Sequence, residues 1–338
     1  MAALGLSLCG AGLKAQTTFS DAFNTLKLEA RADMGGTYDT AMRYGFRGRY
    51  FDLKMGGDLG NGFSYFLRQN IRANGGTIAF FDNTDFLWLN YQPNEHWRFR
   101  FGKDAMAVGG YEYDAAPLDE YLTATYWDNF YCFQMALSAA YSWDEGRQTV
   151  VAQVSQSPYV NVYADIYDSR WDTGLVAYNV EWLGSIGEHV HTLWSVNMME
   201  YGRNEFMWTL FLGTQVSFER WDAYLDLMQH SFAADDWGRD IGVVARLNYR
   251  IGDGWTVFAK GSYEQNPDEV SDADRSRDVL MPFGAKHSRC GLGAEFRPKG
   301  MCNVRLHGYV GYIDTDIERW ELNLGATWVM DFHKMFAK

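Results

Sequence analysis

Beyond residue 20 the chain alternates apolar and polar side chains with a period of two, in runs of about 8 to 13 residues broken by Gly, Asn or Asp. Between Tyr131 and Trp143 the odd positions Tyr131, Phe133, Met135, Leu137, Ala139, Tyr141 and Trp143 fall on one face. Cys132, Gln134, Ala136, Ser138, Ala140 and Ser142 fall on the other. A helix would scatter both sets around its circumference, so the pattern predicts a strand. The last run repeats the scheme, with Trp320, Leu322, Leu324, Ala326, Trp328, Met330 and Phe332 opposite Glu321, Asn323, Gly325, Thr327 and Asp331.

Sixteen such runs are predicted, at 23–33, 44–56, 62–73, 83–92, 96–103, 129–143, 147–157, 173–183, 190–201, 206–218, 221–232, 239–251, 254–265, 286–297, 303–313 and 319–332. Short turns, such as Gly252-Asp253-Gly254, are expected at 56–62, 92–96, 143–147, 183–190, 218–221, 251–254 and 297–303. Longer acidic connections lie around 104–128, 158–172, 233–238 and 266–285. Short connections at one end and long ones at the other characterise outer-membrane barrels. Beside each short turn the apolar face carries an aromatic: Phe63, Tyr91 and Trp97, Trp143, Trp182, Phe218 and Trp221, Trp255, and Phe296. Amphipathic rings at strand ends form an interfacial girdle.

Alternation alone also suits a soluble β-sandwich. About sixteen strands closed into one sheet, however, enclose a lumen too wide for side chains to fill, so the apolar face belongs outside, against lipid. The predicted fold class is all-β: a transmembrane antiparallel β-barrel of about 16 strands, with short periplasmic turns, long extracellular loops and the third loop folded into the pore.

Composition agrees. The 338 residues include 22 Phe, 21 Tyr and 13 Trp but only 6 Pro, which excludes disorder and collagen-like structure. A net charge of −13 argues against nucleic-acid binding. No apolar stretch is long enough for a spanning helix. Ala2–Leu13 resembles the apolar region of a secretory signal, without its basic start. Residues 1–15 are therefore read as a signal remnant and 16–338 as a single barrel domain. The sparse cysteines Cys132, Cys290 and Cys302 do not make a disulfide framework.

Arg outnumbers Lys 21 to 9. With the apolar face outward, Arg47, Arg49, Arg68, Arg72, Arg98 and Arg100 fall on the lumen side of the second, third and fifth strands, with Arg31 on the first. They read as a basic ladder lining the pore; the competing reading has them pairing with lumen carboxylates such as Glu29. A second sector, Arg246, Arg250, Lys260, Arg289 and Arg305, is interleaved with Asp222, Asp226, Glu264, Glu295 and Glu321 and reads as structural ion pairs. The connection 104–128 holds Asp104, Glu112, Asp114, Asp119, Glu120 and Asp128 and no Lys or Arg. Its aromatics suit packing rather than solvent exposure. It is predicted to fold inward as a constriction loop, with Glu112, Asp114, Asp119 and Glu120 facing the basic wall.

The run Arg98-Phe99-Arg100-Phe101-Gly102-Lys103, followed by Gly109-Gly110-Tyr111-Glu112-Tyr113-Asp114 and Pro117-Leu118-Asp119-Glu120-Tyr121, resembles the strand and constriction loop of the phosphate-selective porin O and P family. The resemblance at motif level covers about residues 96–121. It implies a sixteen-stranded homotrimeric porin of a Gram-negative outer membrane. The family's phosphate-binding members use a basic constriction, whereas this loop is wholly acidic, so phosphate selectivity is not carried over.

The expected function is passive diffusion of small hydrophilic or charged solutes, anions among them, in contact with outer-membrane lipid and lipopolysaccharide. The alternative is a plugged structural or adhesive barrel without open-channel activity. Catalysis is not expected, because His230-Ser231 and His287-Ser288 are adjacent on strands and point to opposite faces. Asp272, Asp274 and Asp278, and Asp314, Asp316 and Glu318, lack the sharp-turn glycine of a calcium loop. No cofactor or metal is implied.

Overall fold

The computed structural model describes residues 23–71, 83–159, 174–202, 204–231, 237–238, 240–266, 284–301, 303–315 and 317–332. Residues 1–15, expected to be a signal remnant, Arg72, the Asp272, Asp274 and Asp278 group, and Asp316 lie outside the described residues. Sixteen strands run in chain order: β1 (Thr25–Tyr38), β2 (Met42–Gly60), β3 (Phe63–Asn70), β4 (Thr84–Tyr91), β5 (Trp97–Ala105), β6 (Phe133–Trp143), β7 (Gln148–Gln156), β8 (Val176–Ile186), β9 (Val190–Gly202), β10 (Glu205–Ser217), β11 (Trp221–Ser231), β12 (Asp240–Gly252), β13 (Trp255–Gln265), β14 (Lys286–Phe296), β15 (Val304–Asp314) and β16 (Arg319–Asp331). Each pairs antiparallel with its sequence neighbour. β1 closes the sheet on β16, from Lys27 opposite Asp331 to Tyr38 opposite Trp320. Closure leaves no sheet edge, as a strand-built protein in lipid requires.

The faces are inverted relative to a water-soluble barrel. Phe101, Leu137 and Leu292 are 61%, 59% and 63% exposed on the outside, whereas Asn179 and Asn197 are buried inside. An eleven-residue strand such as β6 extends about 36 Å; tilted by about 40° it covers about 28 Å, close to the apolar band of an outer membrane. Aromatic pairs line the short-turn end, with Phe63 against Tyr91 at 4.5 Å, Phe218 against Trp221 at 4.4 Å and Trp255 against Phe296 at 4.6 Å.

Three details differ from the sequence expectation. β1 runs on to Tyr38 and β2 to Gly60, so the turn expected at 56–62 shrinks to Asn61-Gly62, both at positive φ. The long-loop end is uneven, because β1–β2, β9–β10 and β15–β16 are joined by only a few residues. Finally, the β1–β2 register slips between Arg31 and Ala32. That bulge lets both Arg47 and Arg49 face inward on a strand whose Phe51, of the same parity, faces out.

Candidate functional site

The segment between β5 and β6 enters the lumen and carries two short helices, α1 (Tyr111–Asp114) and α2 (Thr125–Asn129). A helix start leaves its first amides unpaired, and here wall carboxylates receive them. Asp226 of β11 accepts from the Tyr111 and Glu112 amides, both at 2.9 Å. Glu264 of β13 accepts from the Thr125 and Tyr126 amides at 2.7 and 2.8 Å. The loop's side chains are held by the same side of the barrel. The Lys260 ammonium, fully enclosed, lies 2.7 Å from Glu112 and 2.6 Å from Glu120. Arg305 pairs with Asp119 and donates to the Leu118 carbonyl at 2.7 Å. Arg31 donates to the Glu120 carbonyl at 2.7 Å, and Arg289 pairs with Asp128 at 3.0 Å.

Close approach depends on side chains the wall lacks. A Cβ on Gly213 would sit 2.8 Å from the Gly110 Cα, and one on Gly291 or Gly311 would strike the Leu122 side chain. Leu122 itself is held at φ 52°, a left-handed conformation costing about 1–2 kcal/mol for a leucine. Its packing beside Tyr121, Phe258, Tyr309 and Ile313 offsets that cost. A larger apolar cluster, where the loop packs on the wall, includes Met106 and Tyr126 of the loop with Phe211 and Met228 of β10 and β11.

The acidic set therefore does not confront the basic set as expected. Glu112, Asp119 and Glu120 turn to β13–β15, and the second basic sector holds the loop rather than only pairing within the wall. Sequence spacing could not reveal this, since Glu112 and Lys260 are 148 residues apart. Asp114 makes no ion pair among the described residues and is exposed to the lumen. Enclosure in the barrel raises the carboxyl pKa of Asp114. Burial also raises Glu120, against the opposing pull of Lys260.

On the opposite wall the arginines are mostly matched. Arg49 meets Asp33 at 3.3 Å, Arg68 meets Asp85 at 2.9 Å and Arg100 meets Asp104 at 2.8 Å. Arg31 of β1, which also reaches the loop, is buried and pairs with Asp33 at 3.1 Å. Arg47 and Arg98 make no ion pair among the described residues. Between this wall and the loop's Tyr113–Pro117 strip lies a cavity of about 520 Å³, bordered by Tyr50, Arg68, Phe86 and Phe133 on the wall side. It is an opening bounded by fixed charges of both signs.

The sequence profile of the family described as phosphate-selective porin O and P matches residues 25–238. Among curated proteins no match is found. Solved structures with the same fold include an anion-selective porin from Comamonas acidovorans, at 12% identity and TM-score 0.63 over 90% of this chain and 99% of that one. OprB of Pseudomonas putida aligns at 11% identity and TM-score 0.64, over 92% and 95%. A trimer form of OmpT, an outer-membrane protein of Vibrio cholerae, aligns at 10% identity and TM-score 0.57, over 92% and 100%.

Proposed function

The chain belongs to the phosphate-selective porin O and P family, as a closed sixteen-strand barrel of a Gram-negative outer membrane, and from that premise we propose how it passes solutes. Small hydrophilic solutes diffuse through a water-filled passage between the β2–β6 wall and the inward loop. The observation that carries this reading is the one-sided anchoring of the loop: its carboxylates are committed to β11–β15, which leaves the cavity at Arg68 and Phe86 open. Because Arg49, Arg68 and Arg100 each face a carboxylate, the wall is a weak charge filter. Arg47 and Arg98 supply the residual positive charge and Asp114 the opposing negative one. Selectivity for phosphate does not follow from this arrangement.

Assembly as a homotrimer fits the exposed tip of the β1–β2 hairpin, where Tyr44 and Phe46 are 88% and 87% exposed on a single chain. Residues 16–338 form the one barrel domain behind a signal remnant at 1–15, and the apolar girdle contacts lipid and lipopolysaccharide. The test is reconstitution in a planar bilayer with a reversal potential under a potassium chloride gradient. Discrete steps with a small anion preference, lost in Arg98→Ala, support the reading. Silence from folded protein overturns it in favour of a plugged barrel.

A further inference from the structure

The wall that the loop leaves uncovered carries large aromatic side chains on its water-facing side. Phe66 of β3 and Phe86 and Trp88 of β4 share their face with Ser64, Arg68 and Asn90, since Phe66 stands opposite Trp88 and Arg68 opposite Phe86. All three rings are half-buried. They form one strip, with Phe66 at 5.6 Å from Trp88 and 5.9 Å from Phe86, and Phe86 at 5.1 Å from Phe133. Aromatics elsewhere in the lumen, such as Tyr121 and Tyr126 of the loop and Phe211 of β10, are buried where the loop meets the wall. Rings left facing lumen water retain apolar surface that a passing solute could cover.

Two guanidinium groups lie on the strip. Arg68 sits 4.5 Å from the Phe86 ring and 4.9 Å from that of Phe133, and Arg100 sits 4.1 Å from Trp88. Each is tied to its own carboxylate, Asp85 or Asp104. The strip thus offers rigid donors and acceptors side by side with little net charge. A phosphate or carboxylate needs donors only; a hydroxyl both donates and accepts and so uses such a pair fully. From Phe86 to Asn90 the strip extends about 13 Å, the scale of a short oligosaccharide.

We propose that Phe66, Phe86 and Trp88, with Arg68–Asp85 and Arg100–Asp104, form a binding track for neutral sugars. Pyranose C–H faces stack on the rings while the ion pairs take up hydroxyl hydrogen bonds. The track assigns a solute class to the channel proposed above and rests on that reading. The upper part of the track, Arg68 and Phe86, borders the constriction cavity, so an occupying sugar narrows the ion path.

The test is single-channel recording in potassium chloride with added maltotriose. Wild-type current is expected to show transient interruptions, and the half-blocking concentration rises about tenfold in Trp88→Ala and in Phe86→Ala while salt conductance persists. Normal conductance without interruptions overturns the sugar track and leaves the channel standing. So does block unchanged in both variants, or stronger block by benzoate, which would assign the strip to aromatic anions. Absent salt conductance instead overturns the channel reading, and the track with it.

Discussion

Replacing Lys260 by Met removes the ammonium shared by Glu112 and Glu120 while keeping an unbranched side chain one atom shorter. Both partners belong to the loop, and Glu112 is as deeply buried as Lys260. Breaking a buried pair by removing one member leaves an uncompensated charge, at a cost of about 3–5 kcal/mol. The loop does not detach, because Asp226 and Glu264 still hold the starts of α1 and α2 and Arg305 still holds Asp119. The cost falls on the stretch between Glu112 and Leu122, which edges the passage. The expected readout in planar bilayers is an open-channel current with more noise and brief excursions to higher conductance than wild type. The pH dependence has a definite sign. Burial already raises the Glu120 carboxyl against the pull of Lys260, and without that ammonium it rises further. The penalty at Glu120 is then full above its raised pKa and is relieved as the pH falls through that value and the carboxyl binds a proton. Noise is therefore greatest at neutral and alkaline pH and subsides on acidification. The double variant Lys260→Met/Glu112→Gln restores much of the quiet current at neutral pH. Wild-type noise at every pH in Lys260→Met would refute the ion-pair anchor.

Asp226→Ala strips two amides of their acceptor, a loss of about 1–3 kcal/mol each when left unsatisfied, and loosens α1; increased protease cleavage near Tyr111 in the folded barrel checks it. Gly213→Val brings side-chain atoms against Gly110 and pushes the loop toward the passage, so single-channel conductance falls. Leu137→Arg, on the outer face, costs about 2–4 kcal/mol of barrel stability near mid-bilayer, whereas Ser138→Arg on the lumen side leaves folding intact; urea unfolding in lipid bilayers compares the two.

Much of the barrel was legible from alternation, because lipid outside and water inside impose opposite chemistry on adjacent residues. Leu137 and Ser138 show this at one step along β6. The girdle was legible for the same reason. Alternation failed at β2, where the bulge beside Arg49 resets the phase without any local marker in residue type. The inward fold of the loop could be read from its aromatics and acids, but the wall it chooses could not. Closure of β1 on β16 decides which distant cations come within reach, and Lys260, Arg305 and Asp226 acquire their roles only then. Gly213, Gly291 and Gly311 carried a faint signal, as lumen-side positions without side chains where a segment must approach closely.

The position of the passage is tested most directly by cysteine modification in a background free of native cysteines. Asp114→Cys places a thiol on the open edge of the loop, and Glu112→Cys places one behind it, against Lys260. Treatment of an open channel with a charged methanethiosulfonate is predicted to lower the current stepwise in Asp114→Cys and to leave Glu112→Cys unchanged. Undiminished current in modified Asp114→Cys, or no current at all, would contradict a passage between the loop and the β2–β6 wall.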